Sequence, residues 1–216
     1  YSGVSWARRG VSEPDQNVYL QDSTGRFYAV PSHTLPSARG QGEPASGKLN
    51  LPTGATLTGL IMGEDDKEVF VGTSAGYGFR TTITDLHTKN KAGKSVVKIS
   101  PYAQVVQPKL IYDENSLIVA VSNEGRMLVF DISNVPKLAK GKGNKIINIP
   151  SARLKRGEEW VVDYAIVGQG TSLLVYSGKR YLSLKYGDLE HYIGERGRRG
   201  HKLPRGFQRV DYLKSE

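Results

Sequence analysis

An all-β, propeller-like fold is predicted by three features of the sequence. One tight-turn unit recurs four times, each recurrence carries about four short strand-like segments, and no segment sustains helical periodicity. The four units are residues 22–30, 73–80, 122–130 and 176–184. Each is a polar turn followed by alternating aromatic or aliphatic residues, which is the sequence form of a β-hairpin. Gly25, Gly76 and Gly125 are the turn glycines, and Lys179 takes the equivalent place in the fourth copy, so the spacings are 51, 49 and 54 residues.

The alignment continues beyond the hairpins. Ten residues after each turn position stands an apolar residue: Leu35, Leu86, Val135 and Leu189. A Gly/Lys/Arg-rich loop follows, at residues 37–43, 89–94, 140–145 and 195–202. Short strands are then expected at 48–51, 95–99 and 145–149, with a weaker one at 201–203. Before each later hairpin lie paired apolar stretches: 56–62 with 68–72, 104–112 with 116–121, and 160–167 with 171–175. Turn residues separate the members of each pair. A four-stranded unit cannot bury both of its faces alone; radial repetition gives each face a neighbour. Residues 17–21 and 207–213 also read as strands, which either close the ring or complete a partial blade. Four blades and five both fit. Residues 1–16 are expected to be a linker or a partial first blade, and 17–216 one domain.

Composition narrows the chemistry. The 216-residue chain has no cysteine, which excludes a disulfide framework and thiolate metal sites. No apolar run approaches the roughly 18 residues of a membrane span, and no basic amphipathic helix is visible. No signal peptide is visible, and a first residue of Tyr1 rather than methionine is read as a fragment of a longer chain. His33, His87, His191 and His201 form no metal or triad pattern. Residues 42–49 mimic a phosphate loop but end in Leu49 where a hydroxyl is needed, and Gly93-Lys-Ser95 lacks the first glycine. Independent catalysis is not expected. The acidic run Glu64-Asp65-Asp66 reads as a solvated turn.

Charge points to the partner. The formal net charge is +9, and a balance of this kind favours a polyanion. Residues 1–108 hold 11 Lys+Arg against 9 Asp+Glu, whereas 109–216 hold 19 against 12. The excess gathers in the equivalent loops, which in a radial repeat lie on one side or rim. Such a band suits a phosphate backbone tracking a curved surface. The candidate phosphate contacts are Arg39, Lys48, Lys89, Lys91, Lys94, Lys140, Lys142, Lys145, Arg196, Arg198, Arg199, Lys202 and Arg205. The first loop is nearly neutral and contributes least. No recognition helix is visible, so duplex DNA held without base reading fits best. Single-strand binding would need exposed aromatics among the cations. Tyr102, Tyr186 and Tyr192 are the candidates, with core or rim packing the plainer role. The rival class is a protein-interaction propeller.

Longer runs carry a family likeness. Asp22-Ser-Thr-Gly-Arg-Phe-Tyr-Ala-Val-Pro-Ser-His-Thr-Leu-Pro-Ser-Ala-Arg-Gly-Gln-Gly-Glu-Pro44 resembles the C-terminal domain of the ParC-type subunit of bacterial DNA topoisomerase IV, within the gyrase A C-terminal domain family. So do Ser74-Ala-Gly-Tyr-Gly-Phe79, Lys140-Gly-Lys-Gly-Asn-Lys-Ile-Ile-Asn-Ile-Pro-Ser-Ala152 and Gly194-Glu-Arg-Gly-Arg-Arg-Gly200. The resemblance implies a β-pinwheel, a disc whose blades exchange strands, with duplex DNA bent or wrapped around its basic edge. It implies a cytoplasmic, nucleoid-associated parent enzyme that decatenates and relaxes DNA. That parent's partners would be a second copy of the ParC-type subunit and the ATPase subunit of topoisomerase IV, with ATP and magnesium used by other domains and no cofactor here. The isolated domain would be a monomer, and none of its 12 tyrosines would be the DNA-cleaving one. The gyrase counterparts carry a Gln-Arg-Arg-Gly-Gly-Lys-Gly box. The nearest segments here, Glu195-Arg-Gly-Arg-Arg-Gly200 and Lys140-Gly-Lys-Gly143, depart from it, which argues against gyrase-like negative supercoiling.

Overall fold

Each predicted turn closes a hairpin. The computed structural model describes residues 17–32 and 49–216. In chain order the described strands are β1 (Asn17–Asp22), β2 (Arg26–Pro31), β3 (Leu57–Met62), β4 (Glu68–Gly72), β5 (Tyr77–Thr82), β6 (Lys94–Ser95), β7 (Lys109–Ile111) and β8 (Leu117–Ser122). They continue with β9 (Arg126–Asp131), β10 (Asn144–Lys145), β11 (Val161–Val167), β12 (Ser172–Ser177), β13 (Arg180–Lys185), β14 (His201–Lys202) and β15 (Tyr212–Ser215). Among the described residues helix is confined to short turns such as Ile83–Leu86, Ser151–Lys155 and the 3-10 segment Tyr186–Tyr192.

The strands form antiparallel sheets with orders β3-β1-β2-β6, β10-β5-β4-β7, β11-β8-β9-β14 and β13-β12-β15. A blade is therefore not a contiguous stretch of chain. Each period of the sequence keeps two strands for its own hairpin. The strand before that hairpin and the short strand after it both join the preceding blade. This is the strand exchange of a β-pinwheel. Residues 17–21 neither close a ring nor complete a partial blade; they form the first strand of the first hairpin.

The lone strands β3, β7, β11 and β15 touch one another in sequence and form the hub. They wall a cavity of about 1030 Å³ lined by Ile61, Leu110, Ile166 and Leu213. Asp163 staples the hub. Its carboxylate takes an ion pair from Lys109 at 3.2 Å and the backbone N–H of Leu213 at 2.9 Å, joining β7, β11 and β15. The short exchanged strands β6, β10 and β14 occupy the opposite edge of each sheet, which puts the basic loops on the perimeter.

Alternation explains the packing. On β8, Ile118 and Ala120 enter the core between the second and third sheets, whereas Val119 and Val121 enter the core between the third and fourth. A central blade buries both faces, so its strands read as unbroken apolar runs. Terminal β13 instead alternates around buried Leu184. A third core joins the first and second sheets. Among the described residues no buried apolar cluster joins the fourth sheet to the first. On the outer face of the first sheet, Val18, Leu20 and Tyr28 are covered by Leu49, Leu51 and Leu57. The Tyr28 hydroxyl donates to Asp22 at 2.7 Å. Burial and that carboxylate together hold the phenol far above its ordinary value.

The turn glycines are where the exchanged strand docks. Gly25 accepts hydrogen bonds at its carbonyl from the N–H groups of Val96 and Val97, and Gly76 accepts them from Ile146 and Ile147. Gly125 accepts one from Leu203. All three have positive φ. A Cβ at Gly25 or Gly76 would lie 2.2 or 2.3 Å from the carbonyl oxygen of docked Val97 or Ile147, and one at Gly125 would lie 2.4 Å from that of Phe207 in the turn beyond β14. Among the described residues no strand docks at Lys179. The fourth hairpin turns on Gly178 and Lys179 alone, and the outer edge of β13 is unpaired among the described residues.

Several expected strands shrink. Residues 95–99 and 145–149 contribute only β6 and β10 because their next N–H groups are spent on a single glycine carbonyl rather than a ladder. Residues 49–51 form no strand; the Asn50 N–H donates to the Lys91 carbonyl instead. The stretch 104–112 reduces to β7 and a bridge at Val105. The strand expected at 207–213 begins only at Tyr212.

Gly76→Ala and Gly170→Ala separate the two demands on a turn glycine. Gly170 has φ +82° and no atom within 4 Å of an added Cβ. Its replacement is expected to cost about 1 kcal/mol. Gly76→Ala adds the collision with Ile147 and is expected to cost at least about 2 kcal/mol more in thermal or urea unfolding. Equal losses would remove the docking role.

Candidate nucleic-acid interface

The basic loops are stitched to one another. The Lys98 N–H donates to Gly141 and the Gly141 N–H to Val96. The Gly197 N–H donates to Ile146, and the Asn148 N–H to Arg198. Arg196 and Arg199 add guanidinium bonds to the carbonyls of Lys145 and Asn148, at 3.0 and 2.9 Å. The perimeter from Lys89 to Lys202 is thus one hydrogen-bonded band rather than three separate loops.

Ion pairing divides its cations into two groups. Arg199 donates to Glu159 at 2.9 Å, and Arg153 reaches the same oxygen at 3.2 Å. Arg153 also pairs with Glu124 and Glu158, and Arg156 with Glu158. Glu159 is fully buried. Burial alone would raise its carboxyl, but hydrogen bonds from Arg199, Ser122 and Arg153 and the charge of Arg199 outweigh it and hold the group below the usual carboxylate range. Lys137 and Arg80 likewise hold Glu68, at 2.7 and 3.1 Å. Arg198 pairs with Glu195 at 3.2 Å. These cations fix the band in place.

The remaining cations of the basic loops have no carboxylate partner among the described residues. Lys89, Lys91, Lys140, Lys142, Arg196, Lys202 and Arg205 are exposed. Lys145 is half-buried, as is Lys94, which donates to the Asp85 carbonyl at 2.6 Å. Of the residues expected to contact phosphate, Arg39 and Lys48 lie outside the described residues. Arg199 and Arg198 are committed to Glu159 and Glu195. Two further cations escape the sequence pattern. Lys98 lies beside Lys140 in the groove formed with Gly141, and Lys155 lies near Tyr102. The sequence hides Lys98 inside an expected strand, and Lys155 lies past the equivalent loop, in the helical turn Ser151–Lys155 that the structure adds.

The acidic run Glu64-Asp65-Asp66 is an exposed turn, as expected. Among the described residues no group of three His, Asp or Glu could hold a metal ion, and no helix is long and apolar enough to cross a membrane.

A family model described as the DNA gyrase C-terminal domain, β-propeller, matches residues 67–111 and 116–166. The A subunit of DNA topoisomerase 4 from Pseudomonas aeruginosa is 52% identical over 98% of this chain and 28% of that protein. Its Escherichia coli counterpart is 45% identical over 97% of this chain and again 28% of that protein, so the chain spans little more than a quarter of these relatives. The solved structure of the E. coli ParC C-terminal domain superposes with a TM-score of 0.83 at 46% identity, covering 94% of this chain and 82% of that one. A DNA gyrase A C-terminal domain structure superposes at 0.70 with 16% identity, over 91% of this chain and 64% of that one, a likeness of fold.

Arg199→Ala removes one of the two cations on a buried carboxylate and is expected to destabilise the chain by roughly 2 kcal/mol or more. The pH dependence has a fixed sign. The folded-state value of Glu159 lies below its unfolded one, so its stabilisation is complete above about pH 5 and is lost as pH falls through the folded value. The thermal midpoint should drop as pH is lowered from about 5 to 3, and Glu159→Gln should flatten that drop. An unchanged slope in Glu159→Gln would place the acid sensitivity elsewhere.

Proposed function

The chain belongs to the family of ParC-type C-terminal domains of bacterial topoisomerase IV, and from that membership we propose that it holds bent or wrapped duplex DNA on its perimeter. The carrying observation is the stitched band with its unpaired cations. Lys89, Lys91, Lys98, Lys140, Lys142, Lys145, Arg196, Lys202 and Arg205 would meet phosphates in turn as the duplex follows the rim. Phosphate contacts carry no sequence information, so recognition is of backbone path and not of bases. A curved row of cations favours a duplex that bends to meet all of them, the deformation being offset by added contacts.

The domain has no catalytic role of its own in this reading. It positions the transported segment for a type IIA topoisomerase that decatenates and relaxes DNA in the bacterial cytoplasm, at the nucleoid. Its partners in that enzyme are a second copy of the ParC-type subunit and the ATPase subunit. Residues 17–216 act as one DNA-binding domain, to which Arg39 and Lys48 would add phosphate contacts.

A salt series with a duplex of about 40 base pairs, end-labelled with a bend-reporting dye pair, tests this. Neutralising about eight phosphates gives a log–log slope of about −7. Replacing Lys140, Lys142 and Lys145 with glutamine should reduce its magnitude by about 3 without altering the fold. The duplex ends should draw together on binding. Little binding at low salt would sink the reading and favour a protein-interaction scaffold. A steep slope without bending would leave a straight clamp.

A further inference from the structure

Beside the band lies a pocket of about 820 Å³ that duplex phosphates do not explain. Its lining includes Tyr77, Tyr102, Lys142, Lys145 and Lys155, and no carboxylate. The Lys142 ammonium sits 4.0 Å from the Tyr77 ring centre, and that of Lys145 sits 6.0 Å from it. Lys155 lies 5.9 Å from the Tyr102 ring. Tyr102 is 65% exposed, and it alone among the described non-glycine residues has a positive φ, at 65°. A bulky side chain in that region is disfavoured, and here the turn holds a large ring out into solvent.

An aromatic face gains nothing from an intact duplex, whose base faces are already stacked on one another. An unpaired base has a free face, and stacking it on tyrosine is sequence-tolerant. Lysines around the ring supply the phosphate contacts that the same nucleotide needs. We propose that the Tyr77–Tyr102 pocket binds an unstacked nucleotide within a DNA strand, such as one in a single-stranded gap, lying on the perimeter. This rests on the DNA-holding reading of the band, and adds to it a subsite that distinguishes broken stacking from intact duplex.

The test compares an intact duplex of about 40 base pairs with the same duplex carrying a central two-nucleotide gap, with 2-aminopurine in the gap. The gapped duplex should bind about tenfold tighter, as one stacked base allows, and the 2-aminopurine emission should be quenched. Tyr102→Ala should abolish both effects while intact-duplex affinity stays within about twofold, and Tyr102→Phe should restore them. Circular dichroism confirms that the exposed substitution leaves the fold intact. A gap preference that survives Tyr102→Ala would reflect easier bending and overturn the proposal, as would no preference at all. Displacement of the gapped duplex by micromolar deoxyadenosine monophosphate would overturn it too, making the pocket a free-nucleotide site instead. Failure to bind either duplex at low salt would overturn the band itself, a result distinct from losing the gap preference alone.

Discussion

The architecture depends on one contact: the carbonyl of a turn glycine receiving the N–H groups of a strand from the next repeat. That carbonyl takes two N–H donors at Gly25 and again at Gly76. At those two positions the same glycine must adopt positive φ and carry no side chain, because the docked backbone stands where a Cβ would be. Two requirements converge on one residue, so the turn that ends a hairpin is also the socket that orders the blades. Without the docked strand, the outer hairpin strand of each blade would expose an unpaired edge, a known route to aggregation. At the fourth hairpin, where lysine stands in place of the glycine at Lys179, the outer edge of β13 has no paired strand among the described residues.

Much of this is legible in the sequence. The three glycines and their spacing locate the first three hairpins, and the apolar residue ten positions later marks the return of the chain to the core: Leu86, Val135 and Leu189 are all buried. What stays hidden is which hairpin each strand joins. Period-two alternation fixes the face a residue presents, not its neighbour in the sheet, and β3 reads the same beside β1 as beside β4. The exchanged strands look longer than they are for a related reason. Val96-Val97 and Ile146-Ile147 resemble continuing strands, yet both N–H groups of each pair converge on one oxygen, which ends the ladder.

Side-chain chemistry limits the reading of the site in the same way. A basic loop announces its charge but not its carboxylate partners, which can come from other blades. Arg198 and Arg199 are adjacent and look equivalent, but one pairs with exposed Glu195 and the other with buried Glu159. The division falls mostly along residue type. Planar, multiply donating guanidinium groups let Arg80 and Arg199 reach a carboxylate and a carbonyl together and let Arg153 bridge three carboxylates, whereas most of the unpaired cations are lysines, whose compact ammonium groups are strongly hydrated. Arginine holds the rim, and lysine is left to face outward.

These two features meet on the same short segments. The stretch around Lys140–Lys145 inserts its strand into the socket at Gly76, and it also presents unpaired cations to solvent. A polyanion laid along the band would therefore contact the segments that join neighbouring blades, not the blades' interiors. Any ligand that binds the folded chain more tightly than the unfolded one stabilises it by mass action. Here that stabilisation would act across the exchanged strands, where the sheets are held by only two paired residues each. Strand exchange and cationic rim are thus one device: the joint that assembles the disc is also the surface offered to its proposed ligand.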